Sequence, residues 1–575
     1  MKNPVFHIAI TGLTRLLLLL LLFTTTPPLM GIGGCLQINT LHERIYLQTD
    51  KRLYLSGEQI QLKLSTVDTA YVPLIFSKVA YVELVDDSIA HIQIIIALPD
   101  GTGVGMMQLP ADLPTGTYRL IAYTQFMRNE ESAPFCEKII GVFNPFTPPL
   151  KGAGGCPIPP LKGAGGCPEL NLHPNKLNYQ TREQGELILS GLPDNIHTLA
   201  VSITGKDIIA IEGLRPELDS GTSAMTVEGN PSVKHLPEYV GHIIKGKIID
   251  NQTGKPVSGK LPITAGLSFP GEGIRFFSGQ ITDAGDVLFY TSGITGTNRM
   301  ATVVYNANEK YHIDIQSPFI TRFPPQIMPA LVIDTSFFSQ LIDRSVALQA
   351  SHYFMDDPFE QRIFPLTTFN ITPTNSYLLD EYTRFTTMRE VFIEFILGAR
   401  FRRRAGQWEL SALINMGAQT YYGNKPLVLL DGAPISNHEL ILNYDPLLVE
   451  RINIYNSQYS FGGENFDGII ELKTYRGLMQ DVAFDKSTQI IPYEGPQSFA
   501  AIPVPDYSTG HTRKNRIPDS RHTLLWAPNV QTNGQQTLRI PFNTSALSGE
   551  FQASVEVLTK DGKVIYATTL FTVTP

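Results

Sequence analysis

The stretch QIQLKL at residues 59–64 decides the fold of the first domain, because its apolar and polar residues strictly alternate. An alternation of period two is typical of a β-strand that turns one face to a core and the other to solvent. Similar short apolar runs, separated by glycine-rich or polar turns, follow at 79–85, 92–98 and 116–123. Strands at this spacing predict a β-sandwich over residues 40–147.

The composition extends this prediction to the whole chain. The 575 residues are enough for about four domains. Charged residues make up 17%, below the roughly 25% usual for globular chains, and 47 glycines and 41 prolines supply many turns. We therefore expect a mainly β, exported protein of tandem sandwiches. The net charge of −8 argues against nucleic acid as a partner, since phosphates require a basic face.

The first 35 residues are predicted to be a signal peptide. An apolar run of eight residues, Leu16 to Phe23, follows the positive charges of Lys2 and Arg15, and it is too short to span a bilayer. No later stretch reaches spanning length, so we expect no transmembrane helix in the mature chain. Cys35, after two glycines, resembles the lipidated cysteine of bacterial lipoproteins and is a candidate lipid anchor.

A repeated nonapeptide offers another explanation for Cys35. The sequence PPLMGIGGC at 27–35 recurs, with two changes, as PPLKGAGGC at both 148–156 and 159–167. Residues 148–168 therefore form a predicted Pro/Gly linker. Cys156 and Cys167 within it could pair in an oxidising compartment, although nothing in the sequence requires that bond.

Two family resemblances refine the β domains. The opening TDKRLYLSGEQI at 49–60, together with LPTGTYRLIAYT at 113–124, resembles a macroglobulin-like domain. GKIIDNQTGKPV at 246–257 and TDAGDVLF at 282–289 resemble a carboxypeptidase-regulatory-like sandwich, a fold that carries no peptidase chemistry. We assign the latter to residues 237–318, with a second β-domain at 169–236 before it and a connector at 319–375 after it.

Residues 376–476 are predicted to form a small α+β domain. Thr387 and Glu390 form a capping box at the start of a helix that Gly398 closes. The apolar strand PLVLL at 426–430 then runs into the turn Asp431-Gly432. With the later VERINI (449–454), Gly462-Gly463 and GIIELKT (468–474), this order resembles the plug domain of TonB-dependent outer-membrane receptors.

The chain is too short to be such a receptor. A barrel of some 22 strands must follow the plug, but only 99 residues follow position 476. We expect no transmembrane barrel, and we assign 477–507 to a linker and 508–575 to a C-terminal β-sandwich. The overall order resembles exported multidomain proteins of the Bacteroidota.

A search for reactive groups returns no catalytic motif. His438-Glu439 begins a zinc-protease signature, but Leu442 stands where the second histidine is needed. The stretch from Gly254 to Lys260 resembles a phosphate-binding loop but lacks the following Ser or Thr. The cysteine of a macroglobulin thioester is also missing beside Gly463-Glu464. We expect no enzyme activity, no cofactor and no metal site.

The strongest charge cluster, Arg400 with Arg402, Arg403 and Arg404, allows two interpretations. It is either a solvated edge after the helix or a contact for acidic lipid headgroups or an acidic partner.

These observations predict a non-enzymatic, outer-membrane-associated scaffold. Without a barrel, the plug-like domain needs another cover, and we expect a second outer-membrane protein to supply it. The candidate interface residues are Asp431, Gly432, Gly462, Gly463, Arg402, Arg403 and Arg404. The alternatives are a ligand-binding accessory of a TonB-dependent uptake system, with Tyr421, Tyr422 and Tyr455 as candidate aromatics, or a macroglobulin-like protease-binding protein without the thioester.

Overall fold

The computed structural model describes residues 42–130, 133–146, 170–206, 209–211, 222–225, 235–333, 338–354, 371–498 and 519–575, with short gaps at 260–261, 272, 308, 417–418, 478 and 480–481, and the single positions 505 and 507. The predicted signal peptide, Cys35 and the repeat linker lie outside these residues. No helix among the described residues is long and apolar enough to cross a membrane.

Strands dominate the described residues. Those of the first half of the chain are β1 (Arg44–Thr49), β2 (Leu53–Leu55), β3 (Gln59–Val67), β4 (Val79–Val85), β5 (Ala90–Ala97), β6 (Thr102–Gln108), β7 (Gly116–Tyr123), β8 (Ala133–Phe143), β9 (Asn171–Pro174), β10 (Asn178–Gln180), β11 (Gln184–Ser190), β12 (Ile196–Gly205), β13 (Ile209–Ile211), β14 (Thr222–Met225), β15 (Ile243–Asp250), β16 (Thr264–Ser268), β17 (Phe276–Ile281) and β18 (Asp286–Tyr290). Those of the second half are β19 (Thr297–Tyr305), β20 (Tyr311–Ile315), β21 (Leu331–Ile333), β22 (Asn375–Leu378), β23 (Ala399–Arg404), β24 (Gln407–Met416), β25 (Gln419–Tyr422), β26 (Leu427–Leu430), β27 (Ala433–Pro434), β28 (Val449–Phe461), β29 (Glu464–Thr474), β30 (Thr488–Glu494), β31 (Thr523–Ala527), β32 (Thr537–Asn543), β33 (Gly549–Thr559) and β34 (Val564–Thr574). The α-helices are α1 (Phe338–Phe354), α2 (Met388–Glu394) and α3 (Glu439–Leu442).

The first sandwich confirms the mainly β prediction. Its two sheets have the orders β1-β3-β6 and β14-β8-β7-β4-β5, and β2 pairs with β8. The apolar face of β3 enters the core between the sheets, as its alternation predicts.

The polar face of β3 differs from the prediction because it is also buried. Lys63 and Ser65 are completely covered, and the Lys63 amine donates to the carbonyl of Pro528 at 2.5 Å. Tyr46, on neighbouring β1, donates to the carboxylate of Glu556. A second domain covers this face, and the local sequence pattern cannot predict such a contact.

That second domain is assembled from two distant parts of the chain. One sheet has the order β10-β34-β33-β12-β31 and the other has the order β32-β11-β9. β12 pairs with β33 over nine positions, among them Val201 with Val555. The separate domains predicted at 169–236 and 508–575 are therefore corrected to one composite sandwich, since neither half has enough strands to enclose a core alone.

The middle sandwich also takes a strand from outside its predicted range. Its strands form one continuous sheet of order β20-β15-β18-β17-β16-β19-β30, which folds over a shared core that includes Ile248, Leu267 and Phe289. β30 lies within residues 477–507, which the sequence analysis assigned to a linker, and it pairs with β19. The predicted connector likewise contains α1, where Arg344 forms an ion pair with Glu58 of the first sandwich at 2.8 Å.

The α+β module spans β22 to β29. It contains a five-stranded sheet of order β22-β28-β29-β26-β27 and a three-stranded sheet of order β23-β24-β25, and the two sheets share one apolar core. Thr387 and Glu390 form the predicted capping box at the start of α2. The helix ends at Glu394, and Gly398 follows it with φ +92° instead of capping it directly.

Candidate ligand cleft and interface residues

Asp431 is an internal support of the module and does not face outward. It is only 5% exposed. Its carboxylate accepts hydrogen bonds from the backbone N–H of Thr474 at 2.7 Å, from the Thr474 hydroxyl at 2.6 Å and from the backbone N–H of Met479 at 2.7 Å. The side chain thus ties the β26–β27 turn to the segment after β29.

Gly432 places the same turn against the middle sandwich. Its carbonyl accepts a hydrogen bond from the Ser268 hydroxyl at 2.8 Å. Its φ is +86°, and an added Cβ would lie 3.0 Å from the Cα of Pro270. Only glycine combines this conformation with so close an approach.

The second glycine turn also contacts the middle sandwich. The Ser278 hydroxyl donates to the carbonyl of Phe461. A Cβ on Gly462 would lie 2.7 Å from the Ser278 Oγ, whereas one on Gly463 would have no neighbour within 4 Å. The expectation of an external interface is thus corrected for Asp431, Gly432 and Gly462, while for Gly463 it remains a prediction.

An apolar cluster explains why these turns are used internally. Phe276 of the middle sandwich meets Phe461 and Phe466 of the module, with ring centroids 5.6 and 5.4 Å apart. Leu427 and Leu429 of β26 belong to the same buried cluster. Burying such a surface is strongly favourable. The cover that the sequence analysis assigned to a second protein is, for this face, supplied by the middle sandwich.

The arginines lie on β23, at the edge of the three-stranded sheet. The guanidinium carbons of Arg400 and Arg402 lie 3.5 and 5.1 Å from the centre of the Tyr422 ring. Arg403 and Arg404 are exposed, and Arg403 donates to the carbonyl of Gly406 at 3.2 Å. Within the described residues, none of the four forms an ion pair with a carboxylate.

A cleft of about 540 Å³ lies where the module faces the middle sandwich. One wall is the end of β19, at Val304 and Tyr305, with the residues that follow it. The other wall comes from the start of β24, from residues 424–426 before β26 and from residues 436–438. Asp485 joins the two sides, because its carboxylate accepts from the hydroxyls of Ser436 at 2.9 Å and Ser487 at 2.6 Å.

His438 is a neutral hydrogen-bonding group in this cleft. The backbone N–H of Leu410 donates to its Nδ1 at 3.0 Å, so the ring proton is on Nε2. Burial lowers the pKa of His438 to about 4. At neutral pH the ring is therefore a donor without charge.

A larger cavity of about 970 Å³ lies beside residues 235–245. In its wall, the Tyr81 hydroxyl donates to the Glu238 carboxylate at 2.9 Å, and the Ile243 N–H donates to it at 2.8 Å. Burial raises the pKa of Glu238 to about 8. Nearby, His242 Nδ1 lies 2.7 Å from the Tyr493 hydroxyl, and burial lowers the pKa of His242 to about 4. These uncharged groups connect residues 238–243 to Tyr81 of the first sandwich and to Tyr493 of β30.

Sequence reasoning identified only Arg404 among the residues that line the cleft. Of the proposed aromatics, Tyr455 is buried, Tyr422 lies under the arginines and Tyr421 is 39% exposed. Trp408, one of the two tryptophans in the chain, is the sequence signal that could have pointed to the cleft. Among the described residues, no group of three or more His, Cys, Asp or Glu side chains could hold a metal ion.

Comparison with known proteins adds little to this geometry. No protein-family model and no curated protein matches the chain. Among solved structures, it is similar to the alpha-2-macroglobulin of Salmonella reacted with methylamine (11% identity, TM-score 0.23, 92% of this chain and 39% of that one) and to the native alpha-2-macroglobulin of E. coli (11% identity, TM-score 0.23, 93% and 40%). A further similarity is to dimeric latent PorU of Porphyromonas gingivalis (9% identity, TM-score 0.14, 94% and 34%).

The chain thus spans about two fifths of the length of the macroglobulins it matches. TM-scores this low carry no inference about domain arrangement, activity or partner. The resemblances to carboxypeptidase-regulatory-like and plug domains stay predictions.

Proposed function

We propose that this chain is a non-enzymatic binding protein of the cell envelope, in which a β-sandwich scaffold presents the arginine edge of the α+β module to an acidic partner. The arginine edge is Arg400, Arg402, Arg403 and Arg404 on β23. Internal contacts occupy Asp431, Gly432 and Gly462, so this edge and Gly463 are the parts of the expected interface that stay available.

The observation that carries the proposal is the concentration of positive charge on that strand. Four of its six residues are arginine, in a chain whose net charge is −8. None of them has a carboxylate partner among the described residues. A local charge opposite to that of the whole chain steers an acidic partner to one place and speeds its association.

The geometry of the edge favours an extended segment as the contact. Among the described residues β23 pairs on one side only, with β24, so the backbone groups of its other side have no strand partner there. Edge strands of this kind accept an added strand, while charges on them exclude unsuitable partners. Tyr422 holds Arg400 and Arg402 in place by cation–π contact, which lowers the entropy cost of binding.

The envelope location rests on the predicted signal peptide and on Cys35, a candidate lipid anchor. An outer-membrane protein is the partner that the plug-like sequence order implies. The absence of enzyme activity is part of the proposal, and it rests on the lack of a catalytic motif in the sequence.

The test is capture of solubilised outer-membrane proteins on the purified full chain, compared with a variant carrying Arg402→Glu and Arg403→Glu. Lys255→Glu with Lys560→Glu is the matched control, because both lysines are exposed and lie in other domains. We expect one acidic outer-membrane protein to be retained by the wild type and the control but released by the arginine variant and by high salt. Equal retention by all three proteins would refute the arginine edge as the interface.

A further inference from the structure

The cleft between the middle sandwich and the α+β module has the features of a preformed small-molecule site. Its volume of about 540 Å³ is within the range usual for ligand pockets. Its two walls belong to different domains, which the contacts of Gly432 and Phe461 and the hydrogen bonds of Asp485 hold together. A ligand therefore finds the walls already in position and does not have to draw them together.

Aromatic rings supply the apolar part of the lining. Trp408, Tyr305 and Phe466 all border the cleft, and the rings of Tyr305 and Phe466 lie 6.2 Å apart. The guanidinium carbon of Arg389 lies 5.3 Å from the centre of the Trp408 ring, so a ligand contacts the part of this ring that Arg389 leaves uncovered. The electron-rich face of an aromatic ring attracts weakly positive C–H groups. The Tyr305 hydroxyl is buried and has no hydrogen-bond partner in the described structure, so a polar group is unused in this wall.

The polar part of the lining both donates and accepts. Gln407 and Asn424 are exposed amides at the cleft, each with a donor and an acceptor end. His438 adds a neutral N–H donor, and Asp485 adds a carboxylate that already accepts from two serines. Alternating donors and acceptors of this kind match a ligand rich in hydroxyl groups.

The charges exclude anionic ligands. The lining contains two cations, Arg404 and Lys425, and three carboxylates, Glu309, Glu409 and Asp485. The Lys425 amine is already paired with Glu464 at 2.6 Å. A phosphate, a nucleotide or an acidic glycan would meet an excess of negative charge. The many polar groups disfavour a lipid for the opposite reason.

The strands at the cleft also disfavour an extended peptide. Within the described residues, β19, β24 and β26 each pair with a neighbour on both sides, and the edge strand β23 reaches the cleft only through Arg404, its last residue. The ligand that this lining fits is a neutral ring with C–H groups on its faces and hydroxyl groups around its edge. We infer that this cleft binds a neutral oligosaccharide, with a sugar ring against Trp408 and hydroxyl groups at Gln407, Asn424 and His438. This site is separate from the contact proposed for Arg402 and Arg403.

The chain provides its own fluorescent reporter for a test. It has only two tryptophans, Trp408 in the cleft and Trp526 in the composite sandwich. A Trp526→Phe variant of the full chain therefore reports on the cleft alone. The probes are cellotetraose, maltotetraose, mannotetraose and chitotetraose, with tetragalacturonate, inorganic phosphate and tetra-alanine as contrasts.

We expect at least one neutral tetrasaccharide to change the Trp408 emission saturably, and the three contrasts to leave it unchanged. Gln407→Ala or Asn424→Ala should weaken that binding about five- to tenfold, the loss expected for one hydrogen bond. Gln252→Ala, an exposed glutamine in the middle sandwich away from the cleft, is the matched control and should bind like the parent.

The inference is overturned if no neutral tetrasaccharide binds, if a contrast ligand binds more tightly, or if the Gln407 and Asn424 variants bind as well as the Gln252 variant. Its failure is distinguishable from that of the proposed function. The Asn424→Ala variant should weaken saccharide binding and keep the outer-membrane partner, because Asn424 lines the cleft but lies outside β23 and its paired strand β24.

Discussion

Replacing Asp431 with alanine tests the internal support that this side chain gives to the α+β module. The carboxylate accepts three hydrogen bonds from Thr474 and Met479, all of 2.7 Å or less. Alanine leaves the two backbone N–H groups without their partner, and it must also adopt the φ of +49° that Asp tolerates better.

The magnitude follows from these losses. An unsatisfied buried donor costs about 1–3 kcal/mol, and the φ penalty adds about 1 kcal/mol. Some water entry will offset part of this, so we expect Asp431→Ala to lower the free energy of unfolding of the module by about 3–5 kcal/mol. With a urea m-value of about 1.5 kcal/mol/M, the midpoint should fall by roughly 2–3 M.

The two tryptophans allow the effect to be assigned to a domain. In a Trp526→Phe background, Trp408 reports urea unfolding of the module; in a Trp408→Phe background, Trp526 reports the composite sandwich. We expect Asp431→Ala to shift the Trp408 transition more than the Trp526 transition. A shift of the Trp408 transition corresponding to less than about 1 kcal/mol would refute the role assigned to Asp431.

Three further predictions concern buried groups and glycine turns. Burial raises the pKa of Glu238 from 4.5 to about 8, so the stability that its neutral form provides is complete below about pH 4.5 and is lost as the pH rises to about 8. Glu238→Gln should remove this pH dependence from urea midpoints measured at pH 5, 7 and 9. An unchanged dependence in the variant would contradict the role of Glu238. Gly432→Ala should lower the thermal midpoint more than Gly463→Ala, since both have a positive φ but only the first brings a Cβ to 3.0 Å from Pro270; equal shifts would show that the contact is unimportant. Burial lowers the pKa of Lys63 from 10.5 to about 7, so stability falls as the pH drops towards 7; Lys63→Met should be at least as stable as the wild type at pH 7 in a urea titration, whereas a strong loss would show that the amine is needed.

Local signals in the sequence were sufficient for local structure. The capping box of Thr387 and Glu390 starts α2, and the apolar run before Asp431-Gly432 forms β26. Asp561-Gly562, a typical hairpin-turn dipeptide, connects β33 and β34. Each of these depends on residues a few positions apart, where capping and turn chemistry decide the conformation.

Pairing over long distances was not predictable in the same way. β12 and β33 are separated by about 350 residues. An alternating pattern predicts that a strand forms, but it does not predict which strand pairs with it. The burial of Lys63 and Ser65 has the same origin, since a second domain covers a face that looks solvent-exposed in the sequence. These positions differ from the prediction because tertiary packing overrides the local pattern.

The candidate site was only partly predictable for a related reason. Gly432 and Gly462 were predicted to contact a second protein, but the surface that they approach is in the same chain. The cleft is built from several segments between residues 304 and 487, each unremarkable alone. Only the fold brings Trp408 and Tyr305 to the same cavity.

The most direct test of the proposed binding role is site-specific photo-cross-linking in intact cell envelopes. A photoreactive residue at position 403 leaves the other three arginines of β23 in place, and the same residue at position 252, on an exposed turn of the middle sandwich, is the control. The proposed role predicts one discrete adduct of higher mass from position 403, sensitive to salt, and none from position 252. Recovery of the uncross-linked monomer alone from both positions would contradict it.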